Sequence, residues 1–159
     1  NLEIKRNFDQ FKNKLKIGVS WKSIVNIYGS LKSLKLNDFK PIFKDNRQLI
    51  NLQYGDVANE IKGHNIYTFN EINLYNDLDA CLSILSNLDI FVTVSNTTAH
   101  LAGALGVPTI VICPKKSSTF YYWDYDNGVT PWYNSIKVVK LKDSISKTMQ
   151  NINKIIDNL

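Results

Sequence analysis

Apolar residues fall into short unbroken blocks, separated by stretches in which apolar positions recur at helical spacing. The blocks at 15–21 (LKIGVSW), 48–53 (QLINLQ), 65–69 (NIYTF), 89–94 (DIFVTV), 108–113 (PTIVIC) and 136–141 (IKVVKL) read as strands. Between most of them lie helical patterns. Residues 77–88 (DLDACLSILSNL) put Leu78, Cys81, Leu82, Leu85 and Leu88 on one face. Residues 98–106 end at Gly106, with Pro108 opening the next strand. Residues 143–159 form a closing helix capped by Asp143 or Ser144.

Three segments are less regular. Residues 1–15 carry Phe8, Phe11 and Leu15 at helical spacing, which predicts a short N-terminal helix or the tail of a linker. Gly29 and the serines scattered through 23–33 point to a loop. Asn37 or Asp38 is placed to cap a helix with Phe39, Ile42 and Phe43 on one face.

Central strands that are continuously apolar, rather than alternating, are covered on both faces. With helices between them, they predict an α/β, Rossmann-like three-layer sandwich around a mainly parallel sheet of roughly six strands. The expected organisation is a linker or helix over 1–15, followed by one domain over 16–159.

Composition narrows the class. At 159 residues, 44% hydrophobic and 21% charged, the chain has the size and balance of one globular domain. No apolar run approaches the roughly 20 residues that cross a bilayer. The formal charge of +5 comes from lysines spread along the chain, so nucleic acid is not the expected partner, while an anionic small ligand suits it. Cys81 and Cys113 each sit in an apolar run, outside any metal-ligand spacing, and read as buried thiols in a reducing, cytoplasmic setting. Attachment at the inner membrane face is left open. Opening on Asn1 rather than Met, the chain is expected to be part of a longer polypeptide.

The densest chemistry lies at 94–114, VSNTTAHLAGALGVPTIVICP, where a strand hands over to a helix. Ligands of open parallel sheets bind beyond the carboxyl ends of the strands. A helix start there offers unpaired N–H groups and the positive end of the macrodipole to an anion. Asn96 or Ser95 can cap, Thr97 and Thr98 add hydroxyls, and His100 lies within one turn. Singly these are ordinary caps and a lone histidine; together, in this position, they favour an anion site.

The stretch NTTAHLAGALGVP resembles the C-terminal domain of the heptosyltransferase family (glycosyltransferase family 9), in particular variants attached to bacterial tetratricopeptide-repeat proteins. Four further segments match in order: IGVSW with Lys22, SLKLNDFKPIF preceded by Lys32, LINLQYGD, and YYWDYDNGVTPWY, in which Trp132 and Tyr133 follow Trp123. The helix and strand at 77–96 also resemble the stretch ahead of the family motif. The similarity covers about residues 16–141.

The resemblance implies the donor-binding half of a two-domain GT-B glycosyltransferase. It would take a nucleoside-diphosphate sugar without metal or other cofactor, with the catalytic base in an upstream domain. The upstream partner would be an acceptor half, helical repeats, or both. It further implies that Ser20, Lys22, Lys32, Asn96, Thr97, Thr98 and His100 serve the diphosphate, and Gln53, Tyr54, Gly55 and Asp56 the nucleoside. Two departures stand out: Ser95 replaces a frequent Asp, and Tyr122 replaces an Arg before Trp123. Trp132 and Tyr133 are expected to pack in the core. A degenerate binding or interaction module on the same scaffold is the alternative. A nucleotide-sugar epimerase using Asp56 and Asp124 is a weaker third reading.

Overall fold

The computed structural model describes residues 2–24, 28–114, 119–124, 128–141 and 144–159. Asp143 as a cap and the middle of the 23–33 segment lie outside the described residues. Six strands, β1 (Leu15–Ser20), β2 (Arg47–Asn51), β3 (Ile66–Tyr67), β4 (Ile90–Val94), β5 (Thr109–Cys113) and β6 (Ile136–Lys140), form one sheet. Its order is β3-β2-β1-β4-β5-β6, and every named pairing is parallel. The helices are α1 (Leu2–Asp9), α2 (Gly29–Lys32), α3 (Ala58–Ile61), α4 (Leu78–Leu85), α5 (Thr97–Ala104) and α6 (Ile145–Asp157), with 3₁₀ turns over Leu36–Ile42 and Tyr121–Trp123.

All residues of β2, β4 and β5 are buried, which accounts for the near-continuous apolar runs of β4 and β5, whereas β2 also buries Arg47, Gln48 and Asn51. One face of the sheet, with Ile17, Val19, Leu49, Val92 and Ile112, packs on Phe39 and Ile42 of the first 3₁₀ turn and on Met149, Ile152 and Ile156 of α6. The other, with Ile50, Leu52 and Phe91, packs on α1 and α4 through Ile4, Phe8, Ile84 and Leu85. These are the three expected layers.

Local expectations shift in four places. α1 stops at Asp9 and Leu15 opens β1, so Phe8, Phe11 and Leu15 do not share a helix face. Ile4 and Phe8 are buried in the same core as α4, and α1 belongs to this packed unit. The loop expected around Gly29 contains the single turn of α2. At Leu36–Ile42 the chain winds as 3₁₀ from Lys35, and Asp38 Oδ2 accepts from the Lys35 N–H. Finally, α4 buries Ala80, Cys81, Ile84 and Leu85, whereas Leu78 is 53% exposed. Leu78 instead borders a cavity with Tyr54, Tyr75 and Leu101.

Far from those ends, a buried charge fastens α6. Arg47, 2% exposed, donates from Nη1 to the Ile42 carbonyl (3.2 Å) and Asn153 Oδ1 (2.7 Å), and from Nη2 to Asp157 Oδ1 (2.6 Å). Lys44 Nζ reaches the same carboxylate at 2.6 Å.

Candidate functional site at the carboxyl end of the sheet

After β1 the chain builds outward through β2 and β3, then returns to place β4 on β1's other side. That reversal opens a crevice above Ser20 and Val94, where open α/β sheets bind ligands. A buried amide organises its floor. Gln53, 1% exposed, accepts at Oε1 from the Ser20 hydroxyl (3.0 Å), the Trp21 N–H (2.9 Å) and the Lys22 N–H (2.7 Å), and its Nε2 donates to the Tyr54 carbonyl. Asn96 Nδ2 donates to Ser20 Oγ at 2.9 Å, while Asn96 Oδ1 caps α5 by accepting from the Ala99 N–H at 3.1 Å. Ser20, Gln53 and Asn96 thus hold three strand ends in register. Gln53→Leu leaves three donors without their acceptor, and we expect a loss of about 2 kcal/mol in urea unfolding.

Beyond this floor, Thr97 is exposed and Thr98 buried at the first turn of α5. Both line a cavity of about 460 Å³, with Tyr54, Tyr75, Leu78 and Leu101 among its walls. A second cavity of about 590 Å³ shares Tyr54 and Tyr75 and takes in Gln53, Gly55, Asp56 and Asn73. At their border the Tyr54 and Tyr75 rings stand 5.9 Å apart. Asp56 Oδ1 accepts from the Ala58 N–H at 3.2 Å, at the start of α3. Lys22 pairs with Glu60, whose other oxygen accepts from Trp21 Nε1 at 2.9 Å. Burial pushes the Glu60 pKa upward, but these two hydrogen bonds outweigh it and hold the carboxylate below its ordinary value.

Lys32 and His100 lie outside both cavities, against the 119–123 segment. Lys32 is 4% exposed, and its ammonium sits 4.8 Å from the centre of the Phe120 ring. Among the described residues no carboxylate pairs with it. Burial pulls its pKa below the ordinary lysine value. Half-buried His100 stacks on Trp123 at 4.9 Å and 26°, and its Nδ1 lies 3.1 Å from the Tyr133 hydroxyl. Burial, then the Lys32 charge, lowers its pKa from 6.5, so the ring is neutral at pH 7.

Ser95 accepts from Trp123 Nε1 at 3.0 Å and is hydrogen-bonded to Tyr122. The two departures from the family pattern therefore touch each other. Trp132 is 58% exposed and so does not pack in the core, because its loop turns outward before Tyr133 turns back onto α5. Burial raises both thiols, Cys81 and Cys113, to about 11. Among the described residues no group of three His, Cys, Asp or Glu side chains is placed for a metal, and no helix is long and apolar enough to span a membrane. The sequence reading missed Glu60, Tyr75 and the contact of Tyr133 with His100. Only the aromatic density around 121–133 hinted at the last.

Sheet order and crevice define a Rossmann-like α/β fold of the kind found in GT-B glycosyltransferases. The solved E. coli ADP-heptose LPS heptosyltransferase II superposes with a TM-score of 0.66 at 16% identity, over 99% of this chain and 51% of that one. A glycosyl transferase family 9 structure from Veillonella parvula gives 0.63 at 12% identity, over 96% and 44%. The wall teichoic acid polymerase TagF gives 0.56 at 12% identity, over 99% and 36%. In sequence, protein FlbA of Caulobacter vibrioides is 30% identical over 135 residues, 77% of this chain and 21% of FlbA. The chain thus spans about a fifth of FlbA and about half of the heptosyltransferase. No protein-family model matches it.

Proposed function

We propose that this chain is the donor-binding half of a metal-independent GT-B glycosyltransferase and binds a nucleoside-diphosphate sugar at the carboxyl end of its sheet. The observation that carries this reading is Lys32, a buried ammonium with no carboxylate partner among the described residues, whose charge acts on the neutral His100 of α5. Burying an unpaired charge is costly, and a bound anion removes that cost.

Lys32, His100, Thr97 and Thr98 would hold the diphosphate and stabilise the charge it gains as the bond to the sugar breaks. The nucleoside would occupy the adjoining cavities beside Tyr54, Gly55 and Asp56. Ser20, Gln53 and Asn96 shape the floor, and Lys22 steadies it through Glu60. The catalytic base, the acceptor site and any tetratricopeptide repeats would belong to an upstream part of the polypeptide, in the cytoplasm. The degenerate-module reading draws on Ser95, which puts a hydroxyl bound to Trp123 where the resemblance to the heptosyltransferase pattern would place an Asp.

Calorimetric titration with ADP-, UDP- and GDP-sugars tests the first reading. One donor should bind with a Kd of roughly millimolar or tighter. Silence from all three in the folded protein leaves only the module.

A further inference from the structure

A tyrosine from the loop ahead of β6 lies flat on α5, and a glycine admits it. A Cβ added at Gly103 would stand 2.5 Å from Tyr133 Cγ and 2.7 Å from its Cδ1, distances no real side chain tolerates. One turn earlier on the same helix, His100 presents Nδ1 to the Tyr133 hydroxyl at 3.1 Å. Trp123 stacks on the imidazole and Tyr122 meets its edge at 5.1 Å. The loop is pinned as well, since Thr130 Oγ1 donates to the Tyr122 carbonyl and accepts from the Trp132 N–H. Tyr122 and Tyr133 from the segments covering α5, and Lys32 from α2, are the titratable groups around the ring among the described residues.

We propose that Tyr133, seated on Gly103, is a positioning residue for the diphosphate site: its hydroxyl donates to His100 Nδ1, so the single ring proton resides on Nε2 as a donor for an anionic ligand. The proposal rests on the donor-binding reading above. A phenol hydroxyl donates readily to an imidazole lone pair, and a ring that accepts at Nδ1 while neutral must carry its proton at Nε2. Partial burial, and then the Lys32 charge, disfavour a second proton before the anion arrives. A donor fixed beforehand needs no reorganisation when ligand binds.

The chain has two histidines, so ¹⁵N NMR of the free protein, with His64→Gln for assignment, reads the His100 tautomer directly. We expect the Nε2–H form alone. In Tyr133→Phe, which keeps the ring on Gly103, the tautomers should mix and affinity for inorganic pyrophosphate should fall about 5-fold, with the remaining amide spectrum unchanged. Gly103→Ala, which displaces the ring, should give the same signature. An Nδ1–H form in the native protein, or a Tyr133→Phe variant with native tautomer and affinity, overturns the proposal. Failure of pyrophosphate to bind the native protein instead defeats the donor-binding reading, and the ligand-free spectrum still decides the role of Tyr133.

Discussion

Lys32→Met should weaken binding of a nucleoside-diphosphate sugar roughly 10- to 100-fold and, at the same time, raise the stability of the free protein by about 1 kcal/mol. The opposed signs share one cause. In the free protein the ammonium is almost wholly removed from water, and among the described residues the Phe120 face offers it a cation–π contact. A cation over a ring recovers only part of lost hydration. Methionine fills similar space without the charge, so the fold gains while the diphosphate loses a charge-assisted partner. Calorimetry and thermal melting on the same two proteins read both signs. A variant that melts lower and binds equally well would make Lys32 a packing element.

The same substitution alters the response to acid. His100 has a folded pKa below its ordinary 6.5, so between those values the unfolded chain holds more protons than the folded one. Stability is therefore highest above 6.5 and declines as pH falls towards the folded value. Removing Lys32 relieves part of that depression, so the share of the decline below pH 6.5 that comes from His100 should shrink. Ligand works in the same direction: a bound diphosphate raises the His100 pKa, so binding should take up protons in mildly acidic buffer.

The largest effect on the fold is expected at Trp123. This side chain is fully buried beneath His100 and donates to Ser95. Trp123→Ala should cost about 3–5 kcal/mol in urea unfolding, the range for truncating a large buried aromatic. Trp123→Phe, which loses the N–H but keeps a ring, should cost about 1–2 kcal/mol. A loss below about 1 kcal/mol for the alanine variant would show that the 119–133 segments are dispensable to the core.

The sheet was legible in the chain chiefly through β4 and β5, which are buried on both faces and therefore carry near-continuous apolar runs. The left-handed Gly106, at φ 73°, and a cap at Ser95 or Asn96 were legible from local residue chemistry, and the structure gives the cap to Asn96. The orientation of α4 was not, since the open rim that Leu78 faces exists only once Tyr54, Tyr75 and α5 come together. Candidate residues flanking the strand-to-helix junction could be named from sequence. Their division of labour could not. Gln53 meets Ser20 across 33 positions, and Tyr133 meets His100 across another 33. Nothing local announces either pairing.

Arg47 joins its helix partners across 106 and 110 positions of chain, which imposes an order on biosynthesis. As polypeptide leaves the ribosome, β1 to β5 emerge while the guanidinium still lacks the Asp157 carboxylate. The guanidinium can leave water without a large cost only once α6 has docked, so the end of the core around Arg47 closes after the last helix is made.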